Sequence, residues 1–97
     1  MEDYNQDAQN YINLVNEFNT LQDTEYARAY KLHKNALAQY ERWSNILIEV
    51  RELEQATKTK QTTLKGRIEH IMRVLNNIYT SSRMVWNKGE IEFKTKG

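Results

Sequence analysis

The sequence predicts an all-α protein: a long antiparallel helical hairpin or three-helix unit with coiled-coil packing and a short extended C-terminal tail. Three observations carry that reading. The chain of 97 residues has no proline, and its glycines are Gly66, Gly89 and Gly97, so residues 1–65 lack both strong backbone punctuators. Apolar residues recur on one seven-residue lattice: Ala8, Val15, Ala29, Ala36, Trp43, Val50, Leu64, Ile71, Ile78 and Val85, broken only by Gln22 and Thr57. Two polar stretches interrupt the pattern where a helix would end.

The first helix is expected near residues 3–21. It ends in the polar run Asn19-Thr20-Leu21-Gln22-Asp23-Thr24, which offers capping residues before the periodic segment that opens at Tyr26. The second helix is expected near 24–56. From Glu54 to Thr63 the only apolar residue is Ala56, and the β-branched Thr57, Thr59, Thr62 and Thr63 lower helix propensity, which marks a hairpin turn. The third helix follows near 61–86. A lattice that holds its phase across the turn also suits one continuous helix of about 80 residues, roughly 120 Å long. Folding back is favoured because a ten-residue polar gap is costly in a coiled-coil seam and cheap in a loop. Residues 87–97 form the tail: Asn87-Lys88-Gly89 reads as a helix stop, and Glu90 to Lys96 alternates charged with apolar or β-branched residues as a strand does.

Positions four residues after the lattice hold Ile12, Tyr26, Tyr40, Leu47, Ile68 and Leu75, but also Asn19, His33, Glu54, Gln61 and Ser82. A seam so mixed is not a simple two-stranded zipper. His33 reads there as a partly buried imidazole or a register-setting polar residue.

The formal charge of +1 conceals a segregation. Residues 1–27 carry six acids and no Lys or Arg, whereas residues 28–97 carry all 14 bases and seven acids, so an arm of −6 precedes a body of +7. Such asymmetry concerns partners rather than fold. With no cysteine, disulfide and thiolate chemistry are excluded. The acidic start and the lack of any run near the ~18 apolar residues that span a bilayer lead us to expect a cytoplasmic chain without signal peptide or membrane contact. A chain this short buries a limited core, so a homo-oligomer is expected.

No phosphate loop, metalloprotease pair, nucleophile elbow or calcium loop occurs. Neighbouring Glu69 and His70 diverge by ~100° on a helix and cannot share a metal. The expectation is a non-enzymatic protein without cofactor or metal. Lys58, Lys60, Lys65 and Arg67 cluster at the turn, with no acid between residues 55 and 68. Together with Arg42, Arg73 and Arg83 they are the candidate nucleic-acid contacts, because Tyr40, Arg42 and Trp43 lie within one turn and Tyr79, Arg83 and Trp86 recur at spacings of four and three. Aromatic faces beside guanidinium groups grip single strands by base stacking and phosphate contact. Trp43 and Trp86 also suit a packed helix interface, and with Val50, Ile71, Ile78 and Val85 they are the candidate oligomer or partner surface.

The run Tyr40-Glu41-Arg42-Trp43-Ser44-Asn45 and the segment from Ile78 to Asn87, which contains Ser81, Ser82 and Arg83, resemble two helical stretches of the UvsY family of phage recombination mediators. The resemblance covers about a third of the chain. It implies a ring-forming helical oligomer that binds single-stranded DNA and helps load a recombinase, with Arg42, Lys58, Lys60, Lys65 and Arg67 on phosphates. Two other roles fit the residues: a small inhibitor or adaptor that blocks a host protein through its acidic helix or C-terminal strand, and a structural protein that builds a ring or filament by docking the acidic arm of one copy on the basic body of the next.

Overall fold

A computed structural model describes the backbone of residues 4–96 and the side chains through Ile91. Three helices run in chain order: α1 (Asn5–Asn19), α2 (Tyr26–Thr57) and α3 (Thr62–Lys96). The chain folds back between α2 and α3 rather than continuing as a rod, and it measures 60 × 19 × 17 Å. At 15 residues α1 is about 22 Å long, less than half of α2 with 32 or α3 with 35. Residues 1–3 and Gly97, the outer ends of the expected first helix and tail, lie outside the described residues.

The heptad pattern describes the α2–α3 seam. Ala29, Ala36, Trp43 and Val50 of α2 are buried together with Ile68, Leu75 and Ile78 of α3. The seam also contains a polar layer. His33 is 7% exposed and Ser82 fully buried, and neither His33 Nδ1 nor Ser82 Oγ has a hydrogen-bond partner among the described residues. Leu32 and Ile46 stand off the lattice, yet they are buried because α1 packs on that flank of α2.

In α1 the pattern holds only in part. Lattice residue Val15 packs on the core, but Ile12, four residues after Ala8, is 48% exposed, and Leu14, at 1%, is buried instead with Tyr11 and Phe18 packed beside it. The reason is geometric: α1 lies on the side of an already formed pair and presents its own stripe at three- and four-residue steps instead of entering the seam. Polar contacts fix it antiparallel to α2. Tyr4 Oη donates to Glu49 Oε2 (3.0 Å), Arg42 reaches Asp7 (3.1 Å), and Gln39 Nε2 donates to the Asn10 carbonyl (3.3 Å). Arg28 closes the far end, donating to the carbonyls of Glu17 (2.8 Å) and Thr20 (3.2 Å) and to the Thr20 hydroxyl. A cation there satisfies the open carbonyls of the α1 C-terminus.

The α2–α3 turn comprises residues 58–61. Thr57 Oγ1 donates to the Leu53 carbonyl (2.8 Å), and Lys58 caps α2 in the left-handed conformation, φ 55°. Glu54 Oε2 accepts the Gln61 backbone N–H at 2.6 Å, which ties the end of α2 to the start of α3.

The extended tail is not found. Residues 87–96 continue α3, so no C-terminal strand is present to add to a partner's sheet. Gly89 is not a helix stop: its φ is not positive, and it is buried where the Tyr26 ring approaches the α3 backbone. A lone strand has little stability of its own, whereas continuing α3 satisfies the backbone of residues 87–96 within the helix. No helix among the described residues is long and apolar enough to cross a membrane.

Candidate functional site

With α1 on one flank of the hairpin, the other flank is bare. Three recesses follow one another along it, formed by α2, α3 and the turn alone. At the tip, a cleft of about 620 Å³ is lined by Arg51, Glu54, Gln55, Lys58, Thr59, Lys60, Thr62 and Lys65. Next comes a groove of about 420 Å³ between Tyr40, Leu47 and Arg51 of α2 and Glu69, Met72, Arg73 and Asn76 of α3. A smaller recess of about 200 Å³ lies among Leu37, Tyr40, Asn76 and Tyr79. Arg51 borders the first two, and Tyr40 and Asn76 border the last two, so the three form one track. From Lys65 to Tyr79 it follows α3 for about 21 Å.

Cations dominate the tip. Glu54 is its single acid; its carboxyl is held below the usual carboxylate range by the Gln61 N–H first, then by Lys65 and by the charge of Arg51. Lys65 Nζ pairs with Glu54 Oε1 at 3.0 Å. Among the described residues Lys58, Lys60, Arg67 and Arg73 make no ion pair, which leaves their charges to solvent or a ligand. The seven candidate contacts therefore divide: Lys58, Lys60 and Lys65 line the tip, Arg73 lines the groove, and Arg67 is exposed nearby on α3. Arg83 donates to Tyr79 Oη (3.2 Å) and lies 5.9 Å from that ring's centroid.

Arg42 departs from expectation. Its guanidinium forks onto Asp7 through Nε and Nη2 (3.1 and 3.2 Å), on the α1 side. Tyr40, Arg42 and Trp43 do not form one grip: steps of 100° per residue send Tyr40 to the bare flank, Arg42 to α1 and Trp43, 4% exposed, into the core. The expected partner surface changes similarly. Trp43, Val50 and Ile78 are buried within the chain's own core, whereas Ile71, Val85 and Trp86 are half-buried. Trp86 stacks on His33, with planes 15° apart and centroids 5.4 Å apart, and meets Tyr30 at 5.0 Å. That aromatic cluster lies towards the C-terminal end of α3.

Sequence reasoning missed Arg51, Tyr30, Leu37 and Asn76. A signal existed: Tyr30, Leu37 and Arg51 lie on one seven-residue lattice and Glu69, Asn76 and Arg83 on another, each flanking the apolar seam. Among the described residues no group of three or more His, Asp or Glu side chains is placed to hold a metal ion. No family model, curated protein or solved structure matches the chain.

Proposed function

We propose that this protein is a non-enzymatic helical accessory protein that binds single-stranded nucleic acid along the bare flank of its hairpin. The observation that carries the reading is Arg51, which joins the basic tip to the tyrosine-bearing groove in one track. Unpaired cations on flexible stems suit phosphates, and tyrosine faces suit unstacked bases; the two together characterise single-strand binders. The reading is supported by Asp7 of the acidic arm, whose ion pair with Arg42 of the same chain lies on the other flank. The resemblance of residues 40–45 and 78–87 to phage recombination mediators supplies the setting: several copies assembling on a strand to help a recombinase load.

Fluorescence anisotropy with a labelled single-stranded oligonucleotide tests the reading. Affinity should fall steeply between about 50 and 200 mM salt, with a logarithmic slope near −0.7 for each phosphate neutralised. Absence of binding at the lower salt overturns the proposal.

A further inference from the structure

Within the track the smallest recess differs from the rest. The tip cleft is lined by charge, whereas this recess has two phenol rings, one from each helix, an aliphatic wall from Leu37 and one amide, Asn76. The Asn76 side chain has no hydrogen-bond partner among the described residues, although its backbone carbonyl accepts from Thr80 Oγ1 (2.9 Å). Tyr40 likewise makes no ring contact among them, so its face is open. Tyr79 is held from outside: the Arg83 guanidinium donates to its hydroxyl and lies near its ring, bringing a positive charge to the rim. Arg73 supplies a second charge from the adjoining groove, which shares Tyr40 and Asn76 with the recess.

We infer that this recess receives one unstacked nucleobase, stacked on a tyrosine, with the Asn76 amide hydrogen-bonding the base edge and Arg73 and Arg83 flanking the sugar–phosphate backbone. This rests on the single-strand-binding reading and adds a specific claim: that reading requires only phosphate contacts, whereas a base subsite makes the bases themselves matter. Charge and polarity select this occupant. An apolar side chain from a protein would leave the amide unsatisfied and two guanidinium groups facing neutral surface, whereas a base on a phosphate chain matches all three. An asparagine amide can present an N–H donor and a carbonyl acceptor side by side, which matches the donor–acceptor pair on a base edge.

The test compares two oligonucleotides of equal length and charge, one with all its bases and one abasic, titrated against the full chain at fixed salt. Each stacked base contributes roughly 5- to 150-fold in affinity, so the intact strand should bind tighter by at least that lower factor. Tyr40→Ala and Asn76→Ala, both at exposed positions, should each weaken the intact strand severalfold, leave the abasic strand unchanged and preserve the salt slope; circular dichroism checks that the variants are folded. Equal binding of both strands by the native chain overturns the base subsite while leaving single-strand binding in place. Equal losses on both strands in the variants overturn it as well. If neither strand binds, the parent reading falls and the subsite with it.

Discussion

The ring of Tyr26 fills the space that a side chain at position 89 would need: a Cβ on Gly89 would lie 2.1 Å from Tyr26 Cγ and within 2.6 Å of both Cδ atoms. Turning the ring about χ2 leaves Cγ where it is, so clearing the contact needs a new χ1 rotamer for a half-buried ring or a shift of the two helices. Gly89→Ala should therefore destabilise by about 1–3 kcal/mol, although alanine is the better helix former. At Gly66 nothing lies within 4 Å of the added carbon, and Gly66→Ala should stabilise by about 0.5–1 kcal/mol. Thermal unfolding followed at 222 nm separates the two, since each kcal/mol moves the midpoint by roughly 4–8 °C in a domain of this size. A Gly89→Ala midpoint equal to that of the native chain would refute the close packing of Tyr26.

The same glycine shows where the sequence is legible and where it is not. Periodicity reports burial within an element, so the α2–α3 seam from Ala29 to Val50 and the turn near Lys58 follow from the lattice and its polar gap. It does not report which element lies on the flank. Whether Gly89 ends a helix or admits a ring depends on Tyr26, 63 positions away. Arg42 is similar: only the placement of α1 decides that it meets Asp7 instead of solvent. The basic tip was readable as a local cluster, but the track through Arg51 and Asn76 required the register between α2 and α3, which no single-helix pattern contains.

Ser82 should be replaceable with a gain. Its hydroxyl is fully buried and lacks a hydrogen-bond partner, and serine is a poorer helix former than alanine. Ser82→Ala should stabilise by about 0.5–2 kcal/mol, read as a higher urea midpoint at unchanged m. A loss of stability would mean that a buried water or a shifted rotamer satisfies the hydroxyl.

Glu54 makes the hairpin tip acid-sensitive. Its folded pKa is depressed by the Gln61 N–H and by Lys65, so its contribution is present above the unfolded carboxylate pKa and lost as pH falls through the folded value. Glu54→Gln keeps an acceptor for Gln61 but removes the charge. The stability gap between the native chain and this variant should therefore narrow on going from about pH 7 to pH 3 in denaturant titrations. A gap that widens on acidification would contradict the assignment.

Arg42 and Arg73 should separate folding from binding. Arg42 holds α1 through two hydrogen bonds to Asp7, so Arg42→Ala should lower stability by about 0.5–1 kcal/mol and leave the salt dependence of oligonucleotide binding unchanged. Arg73 lines the groove and makes no ion pair among the described residues. Arg73→Ala should change stability by less than about 0.5 kcal/mol and reduce the salt slope by about 0.7. The reverse pattern would place the nucleic acid on the α1 flank.

Lys58 gives the most discriminating case, because its backbone and its charge call for different residues. At φ 55° it is the one non-glycine residue with positive φ among those described, a conformation that costs a side-chain-bearing residue about 1–2 kcal/mol and glycine little. Stability alone favours glycine at this cap. Lys58→Gly should therefore raise the unfolding free energy by about 1 kcal/mol while weakening single-strand binding and lowering the salt slope by about 0.7. Lys58→Asn tolerates the left-handed turn and should match the glycine variant in binding, which separates lost charge from altered backbone. Opposite signs in the two measurements are what a cation retained for contact at the tip requires; unchanged binding in both variants would assign Lys58 to the turn alone.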